Sequence, residues 1–261
     1  MKKPSRLDYA YAVGRVRALE NYLIERAVFQ EAAEEMDFSS SLKIIFDTGK
    51  FSEEAVEIKN SAQLDAFLEQ EEKLLRRLLE ELLLERDILE IFLAWNELFR
   101  AQERYKKVKS PFIRDFIRHR IDLANLKILS RLKYRGEPRE RFESLVIAGG
   151  FLDERVLVES FEESLSGIGE RIKTSAYAEL WNRAIDTLEA KETFLDLERG
   201  IEDFMMNYLK AAKYIVFGPE PVFAYGLARK HELDLVRLLG VGKMVGIAPA
   251  LLKQRISETY V

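Results

Sequence analysis

The chain has 261 residues, of which 48% are hydrophobic and 33% are charged, and its formal net charge is −4. This length and this hydrophobic content exclude a disordered chain and are enough for one large or two modest domains. The absence of cysteine excludes disulfides and thiolate metal sites. We expect no signal peptide, because residues 1–13 lack an apolar core. No apolar run reaches the roughly 18 residues of a membrane span.

The hydrophobic spacing in the first part of the chain predicts helices. Apolar residues recur at spacings of three and four from Tyr9 to Ala27, which predicts one helix over residues 7–36. Ser39 to Ser41 are candidate caps of a short helix or turn that follows. Residues 60–108 contain no Pro or Gly and place Leu and Ile at heptad-like spacing, which predicts one or two long helices.

Cap and turn residues predict further helices in the middle of the chain. Ser110 and Pro111 predict the N-cap and the first residue of a helix that runs to about residue 133. Residues 143–161 predict a short helix, a glycine turn and another helix. The stretch "SGIGERI" (166–172) predicts a loop.

The last third of the chain is also predicted to be helical. We expect helix over residues 175–214 and again to about Leu239, followed by a break at "GVGK" (240–243) and a short helix from near Pro249. The chain has only 6 Pro and 13 Gly, and it lacks sustained period-two alternation. The sequence therefore predicts the all-α class.

The helix predicted over residues 111–133 is apolar on two sides. At about 100° per residue, Leu123, Leu126 and Leu129 lie well away from a stripe formed by Ile117, Ile121, Ala124, Ile128 and Leu132. A helix of this kind is buried on both sides, so we expect Asp122 and Asn125 to lie on packed surface. A buried carboxylate needs a partner, and Arg118, one turn earlier, is the nearest candidate for Asp122.

The sequence contains an internal repeat at a spacing of 110 residues. Residues 111–133 align without a gap with residues 221–243, and the matched pairs include Pro111 with Pro221, Asp122 with Glu232, Leu123 with Leu233, Leu126 with Val236, Lys127 with Arg237, Leu129 with Leu239, and Lys133 with Lys243. Each copy has one carboxylate at the start of a largely apolar face and an arginine, Arg118 or Arg229, about one turn away. A repeated supersecondary unit explains this pattern and makes the acidic residues and Asn125 packing determinants.

Three stretches resemble the C subunit of archaeal and bacterial rotary V/A-type ATPases, which is called the d subunit in eukaryotes. They occur in family order and are "YAYAVGRVRALENYLI", "RIDLANLKILSRLK" and "FGPEPVFAYGLARKHELDLVRLLGVGK". The resemblance implies an all-α fold of repeated helical-bundle units in a pseudo-symmetric, funnel-like arrangement. Usual members have three comparable units, whereas two are clear here and the N-terminal one is degenerate or trimmed.

The resemblance and the repeat together predict the domain organisation. We expect a single all-helical subunit over residues 1–261 with three approximate units. These are residues 1–105 with the long helix, residues 106–214 in the centre, and residues 215–261, which pack with the N-terminal part.

The resemblance also implies a function without catalysis. In this family the protein lies on the cytoplasmic face of the membrane rotor ring, the central shaft of subunits D and F inserts into it, and torque passes through the contact. We therefore expect a peripheral protein on the cytoplasmic side of the membrane, present once per complex and monomeric when isolated. The resemblance implies no cofactor, no metal and no catalytic residue, in a machine that couples ion transport to ATP synthesis or hydrolysis.

The charges are distributed unevenly along the chain, and residues 100–141 carry 14 basic and 5 acidic side chains. Such blocks are either complementary faces of one bundle or docking surfaces for charged partners. The candidate docking charges are Lys106, Lys107, Lys109, Lys133 and Lys243. The block also interleaves aromatic and basic residues, so a helical nucleic-acid-binding or adaptor protein is the alternative function, although the overall acidity argues against nucleic acid.

Motifs for nucleotide or metal chemistry are incomplete. Arg237 stands where the first glycine of a phosphate-binding Walker A loop belongs, and Met244 replaces its hydroxyl residue. The two histidines, His119 and His231, do not belong to Glu-x-x-His pairs, and the acidic run "EEAVE" (53–57) is typical of a solvated helix face. A helical enzyme with an unrecognised site is the third hypothesis, and it predicts a deep pocket with convergent carboxylates.

Overall fold

The computed structural model describes residues 4–49, 51, 58–94 and 97–261, and every regular element in these ranges is helical. This confirms the predicted all-α class. The chain divides into two compact units, of which unit 1 comprises Met1–Leu93 with Met206–Val261 and unit 2 comprises Ala94–Met205. Residues 215–261 therefore belong to the same unit as the N-terminal part of the chain. The funnel-like arrangement stays a prediction.

The helices follow one another in a simple order. The first part of the chain forms α1 (Ala10–Glu20), α2 (Arg26–Glu34), α3 (Phe38–Thr48), α4 (Ser61–Leu82) and α5 (Arg86–Leu93), after a 3-10 turn at Arg6–Tyr9. The middle part forms α6 (Leu98–Tyr105), α7 (Pro111–Tyr134), α8 (Arg139–Glu143), α9 (Glu154–Glu159), α10 (Leu165–Arg171), α11 (Ala178–Lys191) and α12 (Leu195–Lys210), with a 3-10 turn at Ser160–Glu162. The last part of the chain forms a 3-10 turn at Ala211–Tyr214, followed by α13 (Glu220–Met244) and α14 (Pro249–Arg255).

Unit 1 is built around α13, which packs against α4, α3, α2 and α1. Every residue of α13 from Glu220 to Arg229 is buried, so the first half of this helix is surrounded by protein on all sides. Further along, Leu233, Val236 and Leu239 join one apolar cluster with Leu64 and Leu68 of α4. The burial of this helix on several sides contributes to the hydrophobic stabilisation of the unit.

The predicted helix break at residues 240–243 is wrong, because α13 continues through both glycines to Met244. A Cβ at position 240 would overlap the side chain of Leu64, and a Cβ at position 242 would overlap the side chain of Leu252. The two glycines therefore allow α4 and α14 to approach α13 closely. Close packing, rather than a turn, explains their presence in this helix.

The single helix predicted over residues 7–36 is interrupted between α1 and α2. Ile24 lies in this interruption, where its backbone N–H donates to the buried carboxylate of Glu232 on α13. The apolar spacing continues across the break because Leu23 and Ile24 are buried although they are not helical. A tertiary hydrogen bond therefore overrides the local helical pattern.

The long helical stretch predicted over residues 60–108 is divided into α4, α5 and α6. The chain leaves the helix after Leu82, and the backbone N–H of Leu84 donates to the hydroxyl of Tyr9, with 3.1 Å between the two atoms. Tyr9 is itself buried at the start of α1. This contact ties the α4–α5 connection to the N-terminal part of unit 1.

Unit 2 is built around α7, whose start is as predicted. Ser110 is the N-cap, its hydroxyl oxygen accepts from the backbone N–H of Ile113, and Pro111 is the first helical residue. The loop predicted at residues 166–172 is instead α10, which Ser164 caps by accepting from the backbone N–H of Gly167 at 3.0 Å. Its Ile168 is fully buried, so packing stabilises a helix that two glycines disfavour.

None of the helices in the described ranges combines the length and the apolar character that crossing a membrane requires.

Candidate functional site

The carboxylate of Asp122 lies at the centre of a buried hydrogen-bond network in unit 2. It accepts from the backbone N–H groups of Phe151 and Leu152, at 2.7 and 3.1 Å, and from the hydroxyl of Tyr177 at 2.7 Å. Burial raises the pKa of the Asp122 carboxyl, and these three hydrogen bonds oppose the rise. Since all its donors come from later segments of the chain, Asp122 fixes the loop before α9 and the start of α11 on α7.

Tyr177 extends this network to a histidine. Its single hydroxyl proton goes to Asp122, so its oxygen accepts from Nδ1 of His119, and these two atoms are 2.7 Å apart. The imidazole also packs against the rings of Phe151 and Phe204. Burial lowers the pKa of His119, which is consistent with a neutral side chain held in one tautomer.

The expected ion pair between Arg118 and Asp122 does not form, because the guanidinium has other partners. Arg118 donates to the backbone carbonyl of Gly150 at 3.2 Å, and its guanidinium carbon lies 3.7 Å from the centroid of the Phe151 ring. Its nearest carboxylate oxygen belongs to Asp115, at 3.8 Å. Arg118 acts on Asp122 only through longer-range Coulombic attraction, because backbone N–H groups and the Tyr177 hydroxyl occupy both carboxylate oxygens.

Asn125 is buried one turn after Asp122 and holds the same connecting segment. Its side-chain amide donates to the carbonyl of Ile147 and its side-chain oxygen accepts from the N–H of the same residue, both at 2.8 Å. This two-point contact satisfies the amide without another side chain. Asp122 and Asn125 together tie α7 to the α8–α9 connection, which supports the interpretation of both as packing determinants.

The matching position in unit 1 holds a buried ion cluster. Glu232 accepts from Nη1 of Arg229 at 2.9 Å, and Nη2 of the same arginine donates to Glu71 on α4 at 3.1 Å. The Arg229 guanidinium also lies over the ring of Phe51, 4.4 Å from its centroid. Burial raises the pKa of Glu232 to about 7, while attraction to Arg229 and the hydrogen bond from Ile24 act in the opposite direction.

Lys133 and Lys243 lie at matched positions near the ends of α7 and α13, and both are engaged inside their own units. Lys133 donates to the carbonyl of Phe161, and Lys243 donates to the carbonyls of Ala33 and Glu35, the former at 2.7 Å. Burial lowers the pKa of both ammonium groups. These contacts account for a lysine at each position without a docking partner.

Lys106, Lys107 and Lys109 lie between the end of α6 and the start of α7, and all three side chains are exposed. Within the described residues, no carboxylate lies within ion-pair distance of them. They are therefore the candidate docking charges that remain available to a partner. The stretch between them is anchored by the buried Val108.

Part of the basic block at residues 100–141 is used inside unit 2. Lys127 and Arg131 both pair with Glu198, the former at 3.5 Å, and Arg118 and Lys133 bind backbone carbonyls. This favours the view that the charge blocks are complementary parts of the fold. Across the described ranges, no three His, Asp or Glu side chains converge as a metal site requires, and residues 53–57 lie outside those ranges.

Sequence reasoning missed several residues of these networks. Tyr177 and Glu71 are far from the α7 and α13 motifs in sequence, and the donors at Phe151 and Leu152 are backbone groups. One signal was available: adjacent glycines at positions 149 and 150. A Cβ at position 150 would overlap the Asp122 carboxylate, so a glycine is required where this loop approaches α7.

A family model described as ATP synthase (C/AC39) subunit matches residues 49–255, which include α7, α13 and both buried carboxylates. The chain belongs to the ATP synthase (C/AC39) subunit family. This confirms the resemblance to the C subunit of V/A-type ATPases that the sequence motifs indicate. The matched stretch covers helices of both units of this family member.

Curated relatives carry the name of the C subunit. The A-type ATP synthase C subunit of Haloferax volcanii is 25% identical over 137 residues, which are 52% of this chain and 39% of the relative. The A-type ATP synthase C subunit of Pyrococcus horikoshii is 26% identical over 197 residues, which are 73% and 52% of the two chains. The V-type sodium ATPase C subunit of Enterococcus hirae is 24% identical over 140 residues, 54% and 42% of the two chains. This C/AC39 family member spans 39% to 52% of the length of these three curated relatives.

Proposed function

We propose that this chain is a non-catalytic central-stalk subunit of a rotary V/A-type ATPase. In this role it couples the shaft of subunits D and F to the membrane rotor ring, so that ATP synthesis or hydrolysis is linked to ion transport. The observation that carries the proposal is the family match over residues 49–255, together with relatives named as the C subunit of A-type and V-type ATPases. The chain would act once per complex, on the cytoplasmic side of the membrane, and would be monomeric when isolated.

The way in which each unit is held together supports a mechanical role. A protein that transmits torque must keep its helices in register under load, and closely packed interiors resist deformation. In both units a central helix carries a buried carboxylate that holds a neighbouring connection, through Asp122 in unit 2 and Glu232 in unit 1. Charged hydrogen bonds of this kind have defined directions, which apolar packing alone lacks.

The docking charges in this proposal are Lys106, Lys107 and Lys109. Their exposure and the absence of nearby carboxylates among the described residues suit them to an acidic surface on a partner protein. Lys133 and Lys243 are left out of this set because both bind backbone carbonyls of their own units. Rim charges such as these affect the association rate and the salt dependence of binding more than the final affinity.

Affinity capture from the native cell tests the proposal. The tagged chain is expressed, membranes are solubilised in mild detergent, and the captured chains are identified by mass. The proposal predicts co-purification of shaft and rotor-ring proteins. Recovery of the chain alone, or with soluble partners only, would contradict it.

A charge-reversal variant tests the docking surface in the same experiment. Replacing Lys106, Lys107 and Lys109 by Glu is expected to reduce the recovered partner proteins severalfold, since like charges would face an acidic surface. The matched control reverses three exposed basic residues elsewhere in unit 2, namely Arg155, Lys173 and Lys191. Equal losses in both variants would show that net charge, rather than this surface, determines capture.

A further inference from the structure

Unit 1 exposes a group of large apolar side chains beside α1. Leu7 and Tyr11 are one helical turn apart and are 64% and 69% exposed. Tyr214 and Val216, in the segment between α12 and α13, are 88% and 68% exposed, and Phe217 is also exposed. Single exposed apolar residues are common, whereas a group of this size marks an interaction surface. We call these five residues the α1 surface.

Hydrogen bonds from α1 and the turn before it hold the two parts of the α1 surface side by side. Arg6 donates to the carbonyl of Phe217 at 2.6 Å. Arg17, near the end of α1, donates to the carbonyls of Ala212 and Ile215 at 2.8 and 3.1 Å. The segment before α13 therefore runs antiparallel to α1, with Phe217 beside the start of this helix and Ala212 beside its end.

Small uncharged residues separate the two parts of the α1 surface. At about 100° per residue, Ala10 and Gly14 lie on the exposed side of α1 between Tyr11 and Arg17. A Cβ built at position 14 would have no neighbour from the rest of the described chain within 4 Å. These positions therefore leave the α1 surface open between its two rows of apolar side chains.

Positive charge accompanies the α1 surface in a chain whose net charge is −4. Residues 1–20 and 206–220, which include its two parts, carry seven basic and three acidic side chains. Two carboxylates from elsewhere reduce this excess, because Glu81 pairs with Arg15 and Glu258 pairs with Lys210. Basic residues still outnumber acidic ones by two, so the charge around the α1 surface is complementary to an anionic partner.

We propose that the α1 surface binds a membrane surface that contains anionic lipids. Aromatic side chains are enriched where a membrane meets water, and Tyr11 and Tyr214 each present an apolar ring with a polar hydroxyl. Lys213, next to Tyr214, is exposed and is attracted to lipid phosphates. Apolar groups of such surfaces enter roughly 5–10 Å into the headgroup region. This contact is with lipid rather than with protein, so it goes beyond the proposed function and does not depend on it.

The composition of the α1 surface favours lipid over a protein partner. Protein interfaces place their apolar anchors in well-packed pockets and are depleted of lysine. Tyr214 and Val216 are instead largely exposed, and the basic residue beside them is Lys213. A membrane needs no matching pocket and attracts Lys and Arg alike. An apolar helix of a partner protein is the competing occupant.

Binding of the purified full chain to protein-free vesicles tests the proposal. One set of vesicles contains phosphatidylcholine alone, the other adds about 30% phosphatidylglycerol, and the bound protein is measured by flotation. We expect about tenfold tighter binding to the anionic vesicles at low ionic strength, and weaker binding as salt screens the charges. Because the vesicles contain no protein, failure of the coupling role would leave this result unchanged.

A double variant tests whether these side chains make the contact. Tyr214→Ser with Val216→Ser should weaken binding to the anionic vesicles about tenfold, since two apolar side chains no longer enter the headgroup region. Both positions are exposed, so the fold should be retained, and circular dichroism checks this.

The matched control removes apolar side chains elsewhere on unit 1. Met36→Ser with Val245→Ser alters side chains that are 89% and 68% exposed. Val245 follows the last residue of α13, about 35 Å along this helix from Glu220, which pairs with Arg6 beside the α1 surface. Met36 lies at the same end of α13, because Lys243 binds the carbonyl of the preceding residue. We expect this control to bind the anionic vesicles as the unaltered chain does.

Three results would overturn the proposal. They are no binding of the unaltered chain to anionic vesicles, undiminished binding of the Tyr214→Ser and Val216→Ser double variant, and equal losses in both double variants. If the unaltered chain does not bind vesicles while the double variant at Tyr214 and Val216 loses partner proteins in the affinity capture, the α1 surface binds a protein instead of lipid.

Discussion

Lys133 and Lys243 stand at matched positions 110 residues apart, and each donates to backbone carbonyls at the end of a short segment in its own unit. Lys133 binds the carbonyl of Phe161 just after α9, and Lys243 binds the carbonyl of Ala33 in the last turn of α2. Positive charge is favourable at the carbonyl end of a helix. The two lysines therefore have the same structural role.

The carboxylates at the matched positions hold the other end of the same segments. Asp122 accepts from the N–H of Leu152, two residues before α9 begins, and Glu232 accepts from the N–H of Ile24, two residues before α2 begins. Each central helix thus fixes a neighbouring segment at both ends. In unit 2 this segment follows the central helix in the chain, whereas in unit 1 it lies 208 positions before Glu232. The two units therefore share this packing arrangement, although the sequence repeat covers only the two central helices.

Removal of the Asp122 carboxylate should destabilise the protein. Asp122→Ala leaves the N–H groups of Phe151 and Leu152 and the hydroxyl of Tyr177 without their acceptor, and we expect the free energy of unfolding to fall by about 1–3 kcal/mol. Denaturant titration followed by circular dichroism measures the change. Asp115→Ala, at a partly exposed position of α7, is the control, and an unchanged transition for Asp122→Ala would show that the network contributes nothing.

The matched lysines should respond alike to substitution. Lys133→Met and Lys243→Met keep most of the aliphatic stem but lose the hydrogen bonds to the backbone carbonyls, so each should lower the free energy of unfolding by about 1–2 kcal/mol. Lys107→Met, at an exposed position, should change it by less than about 0.5 kcal/mol. Losses confined to only one of the two matched variants would contradict a shared role.

Two glycines should respond in opposite directions to alanine. Gly150→Ala places a methyl group against the Asp122 carboxylate and should lower the free energy of unfolding by about 1–3 kcal/mol. Gly14 lies within α1 with open space around it, so Gly14→Ala should raise this free energy by about 0.4–1 kcal/mol. Thermal melts of both variants measure the change in stability. A Gly150→Ala variant as stable as the unaltered chain would show that the loop can move away from α7.

Much of the structural framework could be predicted from the sequence. The all-α class followed from apolar spacing, and the start of α7 followed from Ser110 and Pro111. The repeat between α7 and α13 was visible because Pro111, Asp122 and Lys133 have matched residues at one constant spacing. Helix caps and apolar periodicity depend on residues that are close in the sequence, so they can be recognised without a structure.

The partners of the buried charges could not be predicted in the same way. The donors to Asp122 come from residues 29, 30 and 55 positions later, and the partner of Arg229 on α4 is 158 positions earlier. Arg118 is the nearest arginine on the same helix, so the sequence alone favours it as the partner of Asp122. The break before α2 was missed for the same reason, since the Glu232 that binds Ile24 lies 208 positions away.

Nucleic-acid binding through residues 100–141 is not expected. Several of these cations are used within unit 2, as in the pairing of Lys127 and Arg131 with Glu198, so fewer remain to neutralise phosphates than the sequence alone suggests. The chain should therefore pass through immobilised nucleic acid at physiological salt. Retention with a steep dependence on salt concentration would support the alternative function instead.

The most direct test of the coupling role is binding between the purified chain and a purified pair of shaft subunits D and F from the same cell. We expect a stable complex that contains one copy of each chain, measured as a single mass by light scattering after size exclusion. A correctly folded chain that elutes separately from the D and F pair at micromolar concentrations would contradict the coupling role.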